Sequence, residues 1–140
     1  MTVTAIPTSS EYALRAMVCL AAEAPEWVTA RDLATRANVP AAFLSKILRR
    51  LVRAGLIEGQ RGHHGGFRLL RPAADVRIAD VLSAAQVEAA PARCAFGFDR
   101  CSDGTPCPLH AMHKELQHRC QAWADHTTLA DVDLTLLRRA

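Results

Sequence analysis

Along the first quarter of the chain, Tyr12, Leu14, Met17, Val18 and Ala21 recur close to a helical spacing. This predicts a first helix over Thr8–Ala24, opened by Thr8 and Glu11 at capping-box spacing and ended by Pro25. A second helix is expected from Ala30 to Ala37, with Thr29 as N-cap, Leu33 as buried anchor and Asn38 in the turn that follows. After Val39-Pro40, a third helix over Ala41–Ala54 places Phe43, Leu44, Ile47, Leu48 and Leu51 on one face. Ser45, Lys46, Arg49, Arg50 and Arg53 fall on the other face, and Gly55 closes the helix. Leu56-Ile57 reads as a short strand, and Glu58–Pro72 is a glycine-rich turn between two short apolar stretches, which is a β-hairpin signature. Two helices, a turn, an amphipathic basic helix and a hairpin, in that order, describe a winged helix-turn-helix.

Beyond Pro72 the pattern changes. Ile78, Val81 and Leu82 suggest a short helix over Ile78–Ala85, and Ala89–Pro106 is a loop rich in Pro, Gly, Asp and Ser. From Pro108 to about Asp125 helical spacing returns, and Leu109, Met112, Leu116 and Trp123 approach a heptad repeat. Such a helix can pair with a copy of itself. A last short helix is expected from Thr128, with Asp131 three residues on. The fold class is therefore mainly α: a winged helix-turn-helix over residues 1–72, then a loop and a long dimerisation helix over residues 73–140.

Charge sharpens this division. Up to Arg71 there are ten basic residues against five acidic ones, and the rest of the chain carries seven against nine. Between Thr29 and Arg71 the excess reaches +7, on the stretch where a polyanion-binding module would need it. No run of eighteen apolar residues is present, and Met1–Ser10 lacks the basic-then-apolar layout of a secretion signal. A cytoplasmic location and no membrane partner are expected.

Five cysteines are present, at 19, 94, 101, 107 and 120. An odd count without a secretion signal argues against a disulfide scaffold. Cys94, Cys101, Cys107 and His110 follow a C-x6-C-x5-C-x2-H spacing on the loop that runs into the long helix. Three thiolates and an imidazole can close around one metal centre, and thiolate is the donor that iron in a sulfide cluster requires. Arg93, Arg100 and the start of the helix at Pro108 would favour the anionic form of these cysteines. Tetrahedral zinc is an alternative occupant of the same donors, although the spacings are wider than a zinc-finger knuckle. Thiol-dependent catalysis finds little support. There is no phosphate-binding glycine motif and no second histidine or acid placed to activate a nucleophile.

Several stretches together resemble the Rrf-two family of iron-sulfur transcriptional regulators, the IscR- and NsrR-like proteins. They are Glu11–Met17, Phe43–Leu48, Leu51–Ile57 and, most specifically, Arg61-Gly62-His63-His64-Gly65-Gly66-Phe67-Arg68-Leu69, which is similar to the family's RGxxGGyxL wing. The three-cysteine loop follows at the family's distance. The resemblance implies a homodimer that binds an inverted-repeat, double-stranded DNA operator and carries an iron-sulfur cluster, 2Fe-2S or 4Fe-4S, beside the dimerisation helix. Cys94, Cys101 and Cys107 then match the cluster cysteines, with six residues in the first gap where the family usually has five. The fourth ligand is open between His110, which is preferred, and Glu11, which falls at an acidic position that other members reach from across the dimer. Glu11 also has a purely structural use as the capping-box partner of Thr8.

For DNA, the candidates on the third helix are Ala41, Ala42, Ser45, Lys46, Arg49 and Arg50, and those on the wing are Arg61, His63, His64 and Arg68. Arginine at base edges reads sequence, and wing contacts to phosphate add affinity without reading it. Arg36 and Arg53 can equally be solvated charges. His113 and His118 read as exposed turns of the long helix, Cys19 as a small core residue, Cys120 as helix packing and Trp123 as an interface anchor. The function expected is a homodimeric regulator, acting as a repressor, whose cluster senses nitric oxide, redox state or iron-sulfur supply. A structural zinc or a cluster-free thiol site is the alternative.

Overall fold

The computed structural model describes residues 6–86 and 94–139. Helix α1 spans Thr8–Glu23 and is the element against which the others assemble. Its Ala13, Ala16, Met17 and Leu20 are essentially without solvent exposure, and the small alanines let neighbouring helices approach closely. The capping box expected at its start is absent. Pro7, extended at φ −55° and ψ 146°, takes the N-cap position, so Thr8 already lies inside the helix and its hydroxyl caps nothing. Glu11 pairs instead with Arg15 one turn on. Arg15 also donates to the carbonyl of Asn38 at 3.2 Å, tying α1 to the end of the next helix.

That helix, α2, spans Ala30–Ala37 and obeys the local signals throughout. Thr29 accepts the amide of Asp32 at 3.1 Å, and Asn38 turns left-handed at φ 53° to stop it. Helix α3 (Ala41–Arg53) buries Leu44, Ile47, Leu48 and Leu51, as its periodicity requires. Phe43 departs from expectation. It sits one residue off that stripe, is 56% exposed, and rests its ring against Tyr12 at 6.0 Å.

Strands β1 (Ile57–Gln60) and β2 (Gly66–Leu69) form an antiparallel hairpin in which Ile57 faces Leu69 and Gln60 faces Gly66. The hairpin is stitched to the turn before α2, because Val28 and Phe67 exchange both backbone hydrogen bonds, at 2.8 and 2.9 Å. The two wing glycines are sterically required. A Cβ on Gly66, whose φ is +142°, would meet the Val28 carbonyl oxygen at 2.3 Å, and one on Gly65 would meet that of Gln60 at 2.2 Å.

Helix α4 (Ile78–Ala85) adds Ile78, Ala79, Val81 and Ala85 to the same core that α1, α2 and α3 build. The long helix α5 (His110–His126) begins two residues later than expected, after a turn at Pro108-Leu109. Its C-terminal end is fastened to the body of the fold. Ala124 is buried, Ile78 donates to the Thr127 carbonyl at 2.8 Å, and Leu129 donates to that of Val76 at 2.9 Å. The short helix expected after Thr128 is a 3-10 turn over Leu129–Asp131, opened by the Thr128–Asp131 capping box, with a second over Leu134–Arg139. No helix among the described residues is long and apolar enough to cross a membrane.

Candidate nucleic-acid interface and metal centre

The outer face of α3 presents Ala41, Ala42, Ser45, Lys46 and Arg49 to solvent. Burial of Leu44, Ile47, Leu48 and Leu51 fixes the rotation of the helix and so leaves these side chains no other direction. Arg50 differs from its neighbours. Its Nη1 donates to the Ala85 carbonyl at 2.7 Å, satisfying a last-turn acceptor of α4 and bracing α3 against it. A groove of about 780 Å³ between α2, α3 and β2 brings Arg31 and Thr35 alongside Ser45, Arg49 and Arg53. Arg31 and Thr35 were not singled out in the sequence, because only docking of α2 on α3 places them at this face.

On the wing, Arg61, His63 and His64 are exposed at the tip, with the two imidazole rings 6.2 Å apart. Arg68 is held back. Its guanidinium lies 4.3 Å from the centre of the Trp27 ring and its Nε donates to Glu58 at 2.6 Å, so it fastens the hairpin to the body.

The described part of the cysteine loop starts at Cys94, and Arg93 lies outside the described residues. Cys94 and Cys107 are both buried, and Cys101 is half-buried. Burial of the Cys94 thiol would raise its pKa. Hydrogen bonds from the backbone amides of Phe96, Phe98 and Gly97 and from the Cys107 thiol outweigh that effect and hold it below the ordinary value. The Gly97 amide also donates to the Cys94 carbonyl at 3.0 Å, closing a tight turn in which Gly97 is left-handed at φ +95°. Cys19 shows the reverse. Burial pushes its thiol up, against a smaller lowering by Arg36, as suits an inert core residue.

His110 opens α5 with Nδ1 3.5 Å from Cys101 Sγ and Nε2 2.8 Å from Asp103 Oδ1. Hydrogen bonds from His110 and Lys114 hold the Asp103 carboxyl below the usual carboxylate range. The fold thus gathers the four loop donors as two pairs, Cys94 with Cys107 and Cys101 with His110. Among the described residues no three His, Cys, Asp or Glu side chains converge on one point as a closed metal site. The donor set nevertheless suits a thiolate-ligated metal in its softness, in the lowered pKa of the Cys94 thiol and in its oriented imidazole. Glu11 pairs with Arg15 on α1. His113 is half-buried, against the expectation of an exposed turn, and its Nδ1 is enclosed without a partner. Cys120 is exposed, not packed.

Comparison with known proteins bears on the fold and the family. Residues 6–133 match the Rrf2 family, described as iron-dependent transcriptional regulator. Rv1287 of Mycobacterium tuberculosis, named as an HTH-type transcriptional regulator, is 36% identical over 124 residues, covering 88% of this chain and 77% of that one. Among solved structures, T. potens IscR superposes with a TM-score of 0.72 at 23% identity, over 92% of this chain and 85% of that one. CymR, the global cysteine regulator of B. subtilis, superposes with a TM-score of 0.76 at 19% identity, over 99% of both. These two share the winged helix-turn-helix fold. The relatives are regulators, not enzymes. With an exposed basic recognition helix, a wing built on its two glycines and a family match over nearly its whole length, the chain belongs to the Rrf2 family of DNA-binding transcriptional regulators.

Proposed function

We propose that the protein is a homodimeric repressor whose DNA affinity is set by an iron-sulfur cluster held on the loop between α4 and α5. The observation that carries this reading is the paired arrangement of Cys94 with Cys107 and Cys101 with His110 at the root of α5. The iron-dependence in the family's description supports it. When bound, the cluster would supply a centre responsive to nitric oxide, oxidants or iron-sulfur supply.

The chain's own residues provide the rest. Leu109, Met112, Leu116 and Trp123 line one side of α5 and are 38–73% exposed, an apolar stripe suited to pairing with the same helix of a second chain. In a dimer the two α3 helices address two half-sites of an inverted repeat, with Ser45, Lys46 and Arg49 at base edges, Ala41 and Ala42 able to touch thymine methyls, and Arg61, His63 and His64 at phosphates. Arg50 joins α3 to the last turn of α4, after which the chain leads to Cys94. A change in how the loop holds its donors is thereby passed to the spacing of the recognition helices.

The test measures iron, acid-labile sulfide and visible absorption of oxygen-free protein, then operator binding with and without the cluster at one salt concentration. A colourless protein that holds zinc without sulfide would select structural zinc. Equal operator affinities for the two forms would reject the sensing role.

A further inference from the structure

Around His110, the loop and the first turn of α5 make a chain of contacts that a bare ligand set does not require. Nε2 of His110 lies 2.8 Å from Oδ1 of Asp103, Nζ of Lys114 donates to Oδ2 of the same carboxylate at 3.2 Å, and Nδ1 lies 3.5 Å from Cys101 Sγ. An ionised carboxylate can only accept, so the ring donates from Nε2. In the neutral ring the lone pair is then on Nδ1, the atom that faces the thiol. The imidazole is only 12% exposed while the carboxylate that holds it is 78% exposed, so the outer group can be altered without opening the core.

The separation of Nδ1 and Sγ is itself informative. One tetrahedral ion bound about 2.3 Å from a thiolate sulfur and about 2.1 Å from an imidazole nitrogen would place those two atoms about 3.6 Å apart. Cys101 and His110 already stand at 3.5 Å. Glu11, the alternative ligand expected from across a dimer, pairs with Arg15 within its own chain.

We propose that Asp103 is a positioning residue that presents His110 through Nδ1, rather than Nε2, to the same iron of a 2Fe-2S cluster as Cys101. It acts by accepting the Nε2 proton in a hydrogen bond, which fixes both the tautomer and the plane of the ring, and Lys114, whose Nζ lies 3.1 Å from Oδ1 and 3.2 Å from Oδ2, steadies the carboxylate. Outer partners of this kind typically change metal affinity by about 10- to 100-fold. The inference rests on the cluster reading above, and two measurements keep the two apart.

In the metal-free full chain, long-range proton–nitrogen correlation spectra of the histidine rings report the tautomer. His110 is expected in its Nε2–H form, and Asp103→Ala is expected to remove that bias. An unchanged tautomer overturns the proposal whatever metal the protein binds. In chains reconstituted with iron and sulfide without oxygen, competition with an iron chelator reports affinity. Asp103→Ala is expected to weaken retention about 10- to 100-fold, Asp103→Asn, which keeps an acceptor oxygen, by less, and Asp103→Ala in a His110→Ala background by nothing further. An equal loss with and without His110, or a loss in His113→Ala that His110→Ala does not show, overturns it. A wild-type chain that takes up neither iron nor sulfide rejects the cluster reading and the ligand role together, and the tautomer result shows whether the Asp103–His110 contact itself exists.

Discussion

A single side chain in this protein is often decided by one or two backbone groups. Burial works against the Cys94 thiolate, but hydrogen bonds from neighbouring backbone amides and the Cys107 thiol hold its pKa below the ordinary value, and the consequence is measurable without any metal. Between its lowered native pKa and the ordinary thiol value of 9.0, the folded chain binds fewer protons at Cys94 than the unfolded chain does. The stabilisation is therefore complete above the ordinary value and is lost as pH falls through the native one. The denaturation midpoint of metal-free protein should rise with pH across that window, with a shallower rise in Cys94→Ser. Parallel pH profiles would contradict that lowering. At the DNA face, Arg49 and Arg50 are adjacent and differ in role. Arg49→Ala should cost about 1–3 kcal/mol of operator discrimination, read by fluorescence anisotropy at fixed salt. Arg50→Ala removes a charged hydrogen bond to Ala85 and should lower folding stability by about 1.5 kcal/mol or more, read by denaturant melts.

Among the elements, the best specified is α2. Its two ends are set by Thr29 and Asn38, so Thr29→Ala should cost about 1 kcal/mol of stability through the lost cap at the Asp32 amide. The wing is specified by space. Gly66→Ala would drive a methyl into the Val28 carbonyl, and a strain of about 1–3 kcal/mol is expected, seen as faster amide exchange at Val28 and Phe67. Helix α5 is packed at one end and exposed along much of its length. Its C-terminal end is anchored on α4 while the apolar stripe of its earlier turns remains in solvent.

At the scale of the molecule, one hydrophobic core draws on both sides of Pro72, with Met17, Leu33, Leu48 and Leu51 packed in the same cluster as Val76, Val81, Ala124 and Leu129. The C-terminal end of α5 and the helix α3 are thus parts of one packed body. If α5 forms the proposed dimer, Leu116→Lys places a charge in its apolar stripe. Sedimentation equilibrium should then show a shift toward monomer, and operator affinity should fall because two half-sites are no longer engaged by one particle. Dimerisation as tight as wild type would remove α5 from the interface.

The sequence by itself determined the helices and the hairpin, since periodicity, Thr29, Asn38, Gly55 and the Gly65-Gly66 pair act over a few residues, and local forces decide such elements. It also marked Cys94, Cys101, Cys107 and His110, because spacing on one loop is visible without coordinates. Long-range contacts were decided only by the tertiary structure. Nothing in the sequence gives Arg50 to Ala85, Arg68 to Trp27, Asp103 to His110, or the amides of Phe96, Gly97 and Phe98 to Cys94. The same limit explains the capping box assigned to Thr8, where Pro7 starts the helix one residue early, and Phe43, which the angular step of the helix carries off the buried stripe. A pattern read along the chain records which residues can pair. Which of them do is fixed by packing, because a polar group takes the partner that the folded backbone brings within reach.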